Sequence, residues 1–271
     1  LVLLGLTGGC QPLSPKSIDA ARIYDSPDLR DGEPQIQRGE PRKVLDALGW
    51  AWGIPSKVLL WDRRVENHRI SATTEAALAD YLQHNHMSTV RVRLNQYRPG
   101  EDWRRLTRNK AVGAPWRYTL GAVSVLGETL IPGRVFGGDH YNPFTNTIHL
   151  YSDVPAIALH EGAHAKDFAR RKWKGTYAAS YLLPVVPLAH ESIASRDVVA
   201  YLEAYGTAEQ QAAAYRILYP AYGTYAGNAM GYALPAYATP LYVGSVLSGH
   251  AWGRYEAAQT LQRAPGTSAE N

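Results

Sequence analysis

Residues 217–253 contain no Lys, Arg, Asp or Glu, and a chain that carries so long an uncharged stretch must find a surface to set it against. Gly223, Gly227 and Gly231 recur inside it at intervals of four, the small-residue spacing that lets two helices approach closely. Asn228, Pro235, Pro240 and many tyrosines keep the stretch from offering the roughly 20 strongly apolar residues of a membrane-spanning helix. Two arrangements remain open: a tight helical pair buried in the protein, or a Tyr-rich surface resting in a bilayer interface. Residues 175–189 are also uncharged, and Gly175-Thr176-Tyr177-Ala178 echoes Gly223-Thr224-Tyr225-Ala226.

The chain has 271 residues, enough for one substantial domain with a real core. Its formal net charge is +4, but Lys and Arg are scattered and no basic motif is interleaved with aromatic residues, so nucleic acid is not an expected partner. Cys10 is the only cysteine, which excludes an intramolecular disulfide and a cysteine metal cluster. Any metal must be held by histidines and carboxylates. Cys10 follows an apolar run, Leu1 to Leu6, that closes on Thr7-Gly8-Gly9, and this resembles the end of a bacterial lipoprotein signal peptide. The resemblance implies a precursor truncated at its N-terminus and lipidation at Cys10. With Gln11 next, it also implies an outer-membrane lipoprotein of the cell envelope, facing the periplasm. Residues 11–40, rich in Pro, Asp, Arg and Gly, read as a tether.

From Pro41 the pattern is globular and continues to residue 263, with a disordered tail expected over 264–271. A short helix to Trp52 is followed by an expected strand, Lys57-Val58-Leu59-Leu60-Trp61. Thr73 or Thr74 caps a helix to about His84. Thr89 to Leu94 alternates polar and apolar residues like a half-buried strand, and further strands are expected at 116–126, 128–136 and 145–151. After Ser152 the character is helical. Ser152 or Asp153 can cap a helix over about 154–173, with Pro155 in its first turn. Helices over 188–205 and from Thr207 follow, the latter opened by a Thr207/Gln210 capping-box pattern. The fold class is therefore α+β: a small mixed or antiparallel sheet, then a helical half.

The first of these late helices carries His160-Glu161-Gly162-Ala163-His164, an H-E-x-x-H match. One helical turn separates the histidines, about 40° apart around the axis, so both imidazoles can reach one metal ion. Glu161 lies beside them, placed to take a proton from water activated by the metal and pass it to a leaving amine. Zinc requires a third protein ligand and, in a catalytic site, leaves the fourth position open. Asp167 and Arg170 stand where a metzincin would continue with Gly and His, which excludes that family.

A gluzincin takes a glutamate from a later helix. Glu191-Ser192-Ile193-Ala194-Ser195 resembles the E-x-x-A-D element of HtpX-type gluzincin peptidases, and Asn142-Pro143-Phe144 resembles the Asn-Ala-Phe stretch before their zinc helix. Carried over, the resemblance makes His160, His164 and Glu191 zinc ligands and Glu161 the general base. Ser195 stands where those enzymes have an aspartate that supports a zinc-binding histidine. On the Glu191 helix, Ala194, Ser195, Val198 and Leu202 share the face of Glu191, whereas Asp197 is turned roughly 120° away. His190 is either a neighbour supporting the ligands or an ordinary histidine near the helix start. Asp167 is expected to pair with Arg170 or Arg171. In gluzincins the strand before the zinc helix is an edge that pairs with extended substrate, which would place Thr147 and His149 beside a bound peptide; an ordinary internal strand is the other reading. Tyr201, Tyr205 and His250 are candidate oxyanion stabilisers.

These features imply a zinc-dependent peptidase acting on extended or unfolded segments of envelope proteins and bound to the membrane by its lipid, with 217–253 a second membrane contact only if it is not the buried helical pair. The rival is a non-catalytic, metal-binding envelope lipoprotein with a structural or partner-binding role. A metal-dependent hydrolase of non-peptide substrates would share the same site.

Overall fold

Four short strands form one mixed sheet, and helices cover both of its faces. A computed structural model describes residues 23–264. Cys10 and the tail from 265 lie outside those residues. In chain order the strands are β1 (Ile36–Arg38), β2 (Arg91–Leu94), β3 (His140–Asn142) and β4 (Thr147–Leu150), arranged β1-β2-β4-β3. β1, β2 and β4 run parallel, with Val92 opposite both Ile36 and Ile148. β3 and β4 form an antiparallel hairpin in which His140 faces His149.

The helices are α1 (Lys43–Trp52), α2 (Ile54–Leu60), α3 (Ala72–His84), α4 (Pro99–Arg108), α5 (Ala114–Trp116), α6 (Ala122–Leu130) and α7 (Gly133–Phe136). After β4 come α8 (Pro155–Ala169), α9 (Lys174–Ser180), α10 (Val186–Tyr205), α11 (Ala208–Ala233) and α12 (Ala238–Arg263). The fold is α+β, as expected. Residues 23–40 are not a tether. Tyr24 N–H donates to the Ala169 carbonyl at 2.8 Å, Leu29 is buried, and β1 is a member of the sheet.

Three expected strands are helical. Lys57-Val58-Leu59-Leu60 belongs to α2, with Pro55 in its first turn and Trp61 closing it in the left-handed conformation at φ 53°. Lys57 Nζ donates to the carbonyls of Trp50 and Glu66 at 3.0 and 3.1 Å, fastening the turn. Residues 116–126 and 128–136 contribute to α5, a π-helical turn, α6 and α7. Their buried positions Arg117, Gly121 and Val125 recur every four residues, a helical period that the β-branched composition obscured. At Gly121 a Cβ would stand 2.8 Å from Leu106 and 3.0 Å from Phe144, so this helix sits closer than an alanine would allow.

β2 and β4 are buried on both faces rather than half-buried. Val92, Leu94, Ile148 and Leu150 point into the main core beside Leu78, Tyr81 and Leu82 of α3 and Ala158, Leu159 and Ala163 of α8. On the opposite face Arg91, Arg93, Thr147 and His149 form a buried polar layer beneath α4 and α6. Arg93 is held by Asp102 at 2.8 Å. Arg105 donates to the carbonyls of Thr145 (2.9 Å), Thr89 (2.8 Å), Asn146 (3.1 Å) and Leu29 (3.4 Å), tying three loops to one guanidinium. The polar alternation survives burial because these partners replace water.

Pro155 opens α8 as expected, but Val154 is its N-cap. Asp153 instead accepts from Ser71 N–H, Ser71 Oγ and Thr74 Oγ1 at 2.9, 2.6 and 2.6 Å. Ser71, not Thr73 or Thr74, therefore caps α3. α8 stops at Ala169, and Gly175 lies inside α9 rather than ending α8. The Thr207/Gln210 capping box is present in full.

α11 and α12 form the tight pair allowed by the glycine spacing. A Cβ on Gly223 would stand 2.6 Å from the Ser245 carbonyl, one on Gly227 2.6 Å from Tyr242 Cα, and one on Gly253 2.4 Å from the Tyr215 carbonyl. Backbone therefore meets backbone along the seam. The outer faces are not buried: Tyr232, Leu247 and Tyr255 are each more than half exposed. No described helix is long and apolar enough to cross a membrane.

Two substitutions test this architecture by denaturant unfolding. Arg105→Met strands several buried carbonyls and is expected to lower stability by roughly 3 kcal/mol. Gly227→Leu forces α11 and α12 apart and is expected to cost about 1–3 kcal/mol or more, whereas Gly244→Leu, where a Cβ meets nothing within 4 Å, should be nearly neutral.

Candidate functional site

α8 is almost wholly buried, between the sheet and α3 on one side and α10 and α11 on the other. The third position of its motif is glycine because a Cβ on Gly162 would stand 2.8 Å from the Tyr81 ring and 3.2 Å from Leu78. That close approach seats α8 against α3. His160, Glu161 and His164 then line a cavity of about 470 Å³ together with Glu191, Ser195 and the aromatic rings of Tyr181, Tyr222 and Tyr225.

The three expected ligands converge. His160 Nε2 lies 2.9 Å from Glu191 Oε2, His164 Nε2 lies 3.3 Å from Glu191 Oε1, and the two imidazole nitrogens are 3.1 Å apart. The rings stand edge to face at 88°. Ligand atoms bound tetrahedrally to zinc at about 2.0–2.1 Å are separated by about 3.3–3.4 Å, so this donor set needs shifts of only a few tenths of an ångström. Two imidazoles and one carboxylate, each side chain about one-tenth exposed, fit a zinc ion in donor chemistry and spacing.

Burial alone would raise the Glu191 carboxyl, but hydrogen bonds with His160 and His164 outweigh it and hold the group well below the usual carboxylate range. Burial would lower His164, and Glu191 reverses this and raises it. Glu161 keeps a raised value because burial exceeds the pull of the two histidines.

His160 and His164 each have a hydroxyl at the outer nitrogen. Ser195 Oγ lies 3.5 Å from His160 Nδ1, the place the resemblance assigns to it. Tyr181 Oη lies 3.5 Å from His164 Nδ1, a partner that sequence reasoning missed. With Nε2 turned to a metal, Nδ1–H is the donor and the hydroxyl the acceptor, which fixes the tautomer. His190 does not reach a ligand. Its ring packs on Tyr177 and Tyr181 at 4.3 and 3.9 Å, and its Nε2 faces Ser180 Oγ, so its contact with the site runs through Tyr181. Asp167 pairs with Arg171 at 2.5 Å, as expected, and accepts from the Tyr177 hydroxyl. Asp197 points away from the ligands and holds Lys166 at 2.6 Å.

Thr147 and His149 do not border substrate space. β4 is paired on both sides, by β2 and β3, and both side chains are buried in the polar layer. The sheet edge near the site is β3, whose His140 and Tyr141 line the cavity with Gly138 and Asp139. The three oxyanion candidates are also misplaced. Tyr201 packs on Tyr81 and Tyr205 on His84, while His250 stacks on Trp61 and bonds the Leu59 carbonyl at 2.8 Å. The residue at the site is Tyr225 of α11, whose hydroxyl reaches Glu191; burial, with Glu191 and Glu161 nearby, raises its pKa. Its one sequence signal was the echo between Gly223-Thr224-Tyr225-Ala226 and Gly175-Thr176-Tyr177-Ala178, both of which bring a tyrosine to a carboxylate around α8 or α10.

Compared with family models, with curated proteins and with solved structures, the chain matches none. The site therefore stands on its own geometry. Glu191→Ala should lower bound zinc by one equivalent in elemental analysis, and His160→Ala should do the same. Ser195→Ala and Tyr181→Phe should leave zinc bound but weaken it by roughly 10-fold to 100-fold in chelator competition.

Proposed function

We propose that the protein is a zinc-dependent peptidase that cleaves extended or unfolded polypeptide segments. The observation that carries this reading is the convergence of His160, His164 and Glu191 at 2.9–3.3 Å in the wall of an open cavity that also contains Glu161. A zinc ion held by these three residues would supply a Lewis acid that polarises a carbonyl and makes water nucleophilic near neutral pH.

The chain's own groups account for the rest of the chemistry. Glu161 takes a proton from the attacking water and delivers it to the amide nitrogen as the C–N bond breaks, so that amide and water become carboxylate and amine. Glu191 stays ionised beside both imidazoles, and Ser195 and Tyr181 hold the rings in one orientation. The Tyr225 hydroxyl, reaching in from α11 to the cavity wall, would donate to a developing oxyanion. β3 is an edge strand on the cavity wall, and an extended peptide laid along it would gain main-chain hydrogen bonds with little sequence choice. Apolar side chains of the substrate would meet Phe144, Phe168, Ile157 and Leu218. An envelope location, with envelope proteins as substrates, rests on the lipoprotein-like pattern before Cys10 alone.

Turnover of a fluorescently labelled unfolded protein tests the reading. Wild type is expected to cleave it, chelation to stop cleavage, and Glu161→Gln to slow it by about 10²-fold to 10⁴-fold while keeping its zinc. Undiminished activity in Glu161→Gln would falsify the general-base role. Bound zinc with no Glu161-dependent turnover would favour the non-catalytic alternative.

A further inference from the structure

A second group of ligating side chains converges on the polar face of the sheet. Among the described residues, Glu128, His140 and His149 each offer a ligand atom, all within 4.8 Å of one another. The register of the β3–β4 hairpin sets His140 opposite His149, with rings parallel within 9° and 4.7 Å apart. α6 brings Glu128 over the pair. Its Oε1 lies 3.1 Å from His140 Nε2 and its Oε2 lies 3.9 Å from His149 Nε2.

Two of these atoms lack a partner although each could serve the other. His149 Nε2 and Glu128 Oε2 are fully buried and neither has a hydrogen-bonding group in reach. His149 is only 5% exposed, and a stranded buried polar atom ordinarily costs about 1–3 kcal/mol. Glu128, His140 and His149 also border a small cavity of about 10 Å³, room for a single water-sized sphere. The remaining atoms of the cluster are already braced. His140 Nδ1 faces the Gly138 carbonyl at 3.0 Å, which makes it an N–H donor and turns Nε2 toward Glu128, where a metal ion would displace the proton shared with Oε1. Asn142 Nδ2 donates to Glu128 Oε1 at 2.7 Å. The nearby cations are engaged elsewhere, Arg93 with Asp102 and Arg105 with Asp31 and loop carbonyls.

We propose that Glu128, His140 and His149 form a second binding site for a divalent transition-metal ion of the zinc and cobalt type. Closing the 3.9 Å separation to the roughly 3.3 Å of a tetrahedral pair requires only small side-chain rotations. Two imidazoles and one carboxylate favour such ions over calcium or magnesium, which demand oxygen donors. His140 also lines the larger cavity with His160 and Glu161, so a bound ion would stand in the wall of the same cleft. The site does not depend on the peptidase reading.

Cobalt(II) titration of the metal-stripped full chain, followed by visible absorption and elemental analysis, separates the two sites. Wild type is expected to bind two equivalents, Glu191→Ala one, and the double variants Glu191→Ala/His140→Gln and Glu191→Ala/Glu128→Gln none. In Glu191→Ala, that one equivalent should broaden the imidazole NMR signals of His140 and His149, a readout that does not rely on the double variants folding. The proposal is overturned if Glu191→Ala binds no cobalt, or if its cobalt leaves both imidazole signals and both double variants unaffected. The difference between wild type and Glu191→Ala reports separately on the first site.

Discussion

The close approach of α8 to α3 at Gly162 is the constraint on which the site depends. A helix that presents two histidines and a glutamate to a cavity must be clamped on its other side, or the imidazoles would not hold a separation near 3 Å. Here the clamp is contact between the Gly162 backbone and the Tyr81 ring, with Ala158, Ala163 and Ala165 completing a small-residue surface against the core. Tyr81 is held in turn, because its hydroxyl bonds Asp197 of α10, the helix that supplies Glu191. One tyrosine thus links the seat of the histidines to the element that carries Glu191.

The sheet has two unlike faces. The apolar face is an ordinary core, whereas the other buries arginines that would be prohibitively costly without partners. α4 supplies Asp102 to Arg93, and Arg105 closes the loops around the strand ends. This polar layer turns β4 into an internal strand and leaves β3, on the cavity side, as the edge.

The helical half was largely legible. H-E-x-x-H, the small residues around Glu191 and the glycine interval each arise from local geometry: one helical turn, one helix face, one seam. His160, His164, Glu191 and Ser195 accordingly lie where residue spacing and resemblance placed them. The N-terminal half was less legible because its signals depend on tertiary partners. Val58-Leu59-Leu60 is equally compatible with strand and helix until Lys57 finds its carbonyls, and Asp153 could not be assigned to α3 without knowing that Ser71 lies beside it. Tyr181 and Tyr225 were missed for the same reason. No periodicity announces that a tyrosine will cross from the end of α9 or from α11 to His164 or Glu191 on another helix.

The α11–α12 seam has a consequence for how the chain can change. Its glycines meet the opposing backbone at successive turns, from Gly223 and Gly227 on one helix to Gly249 and Gly253 on the other. Inserting one residue midway along either helix would rotate every later position by about 100° and carry the remaining glycines off the seam. Length variation should therefore be confined to the connection around Pro235–Tyr237, where no residue is buried, while the helices themselves behave as a fixed-length ruler whose middle turns position Tyr222 and Tyr225 over the cavity.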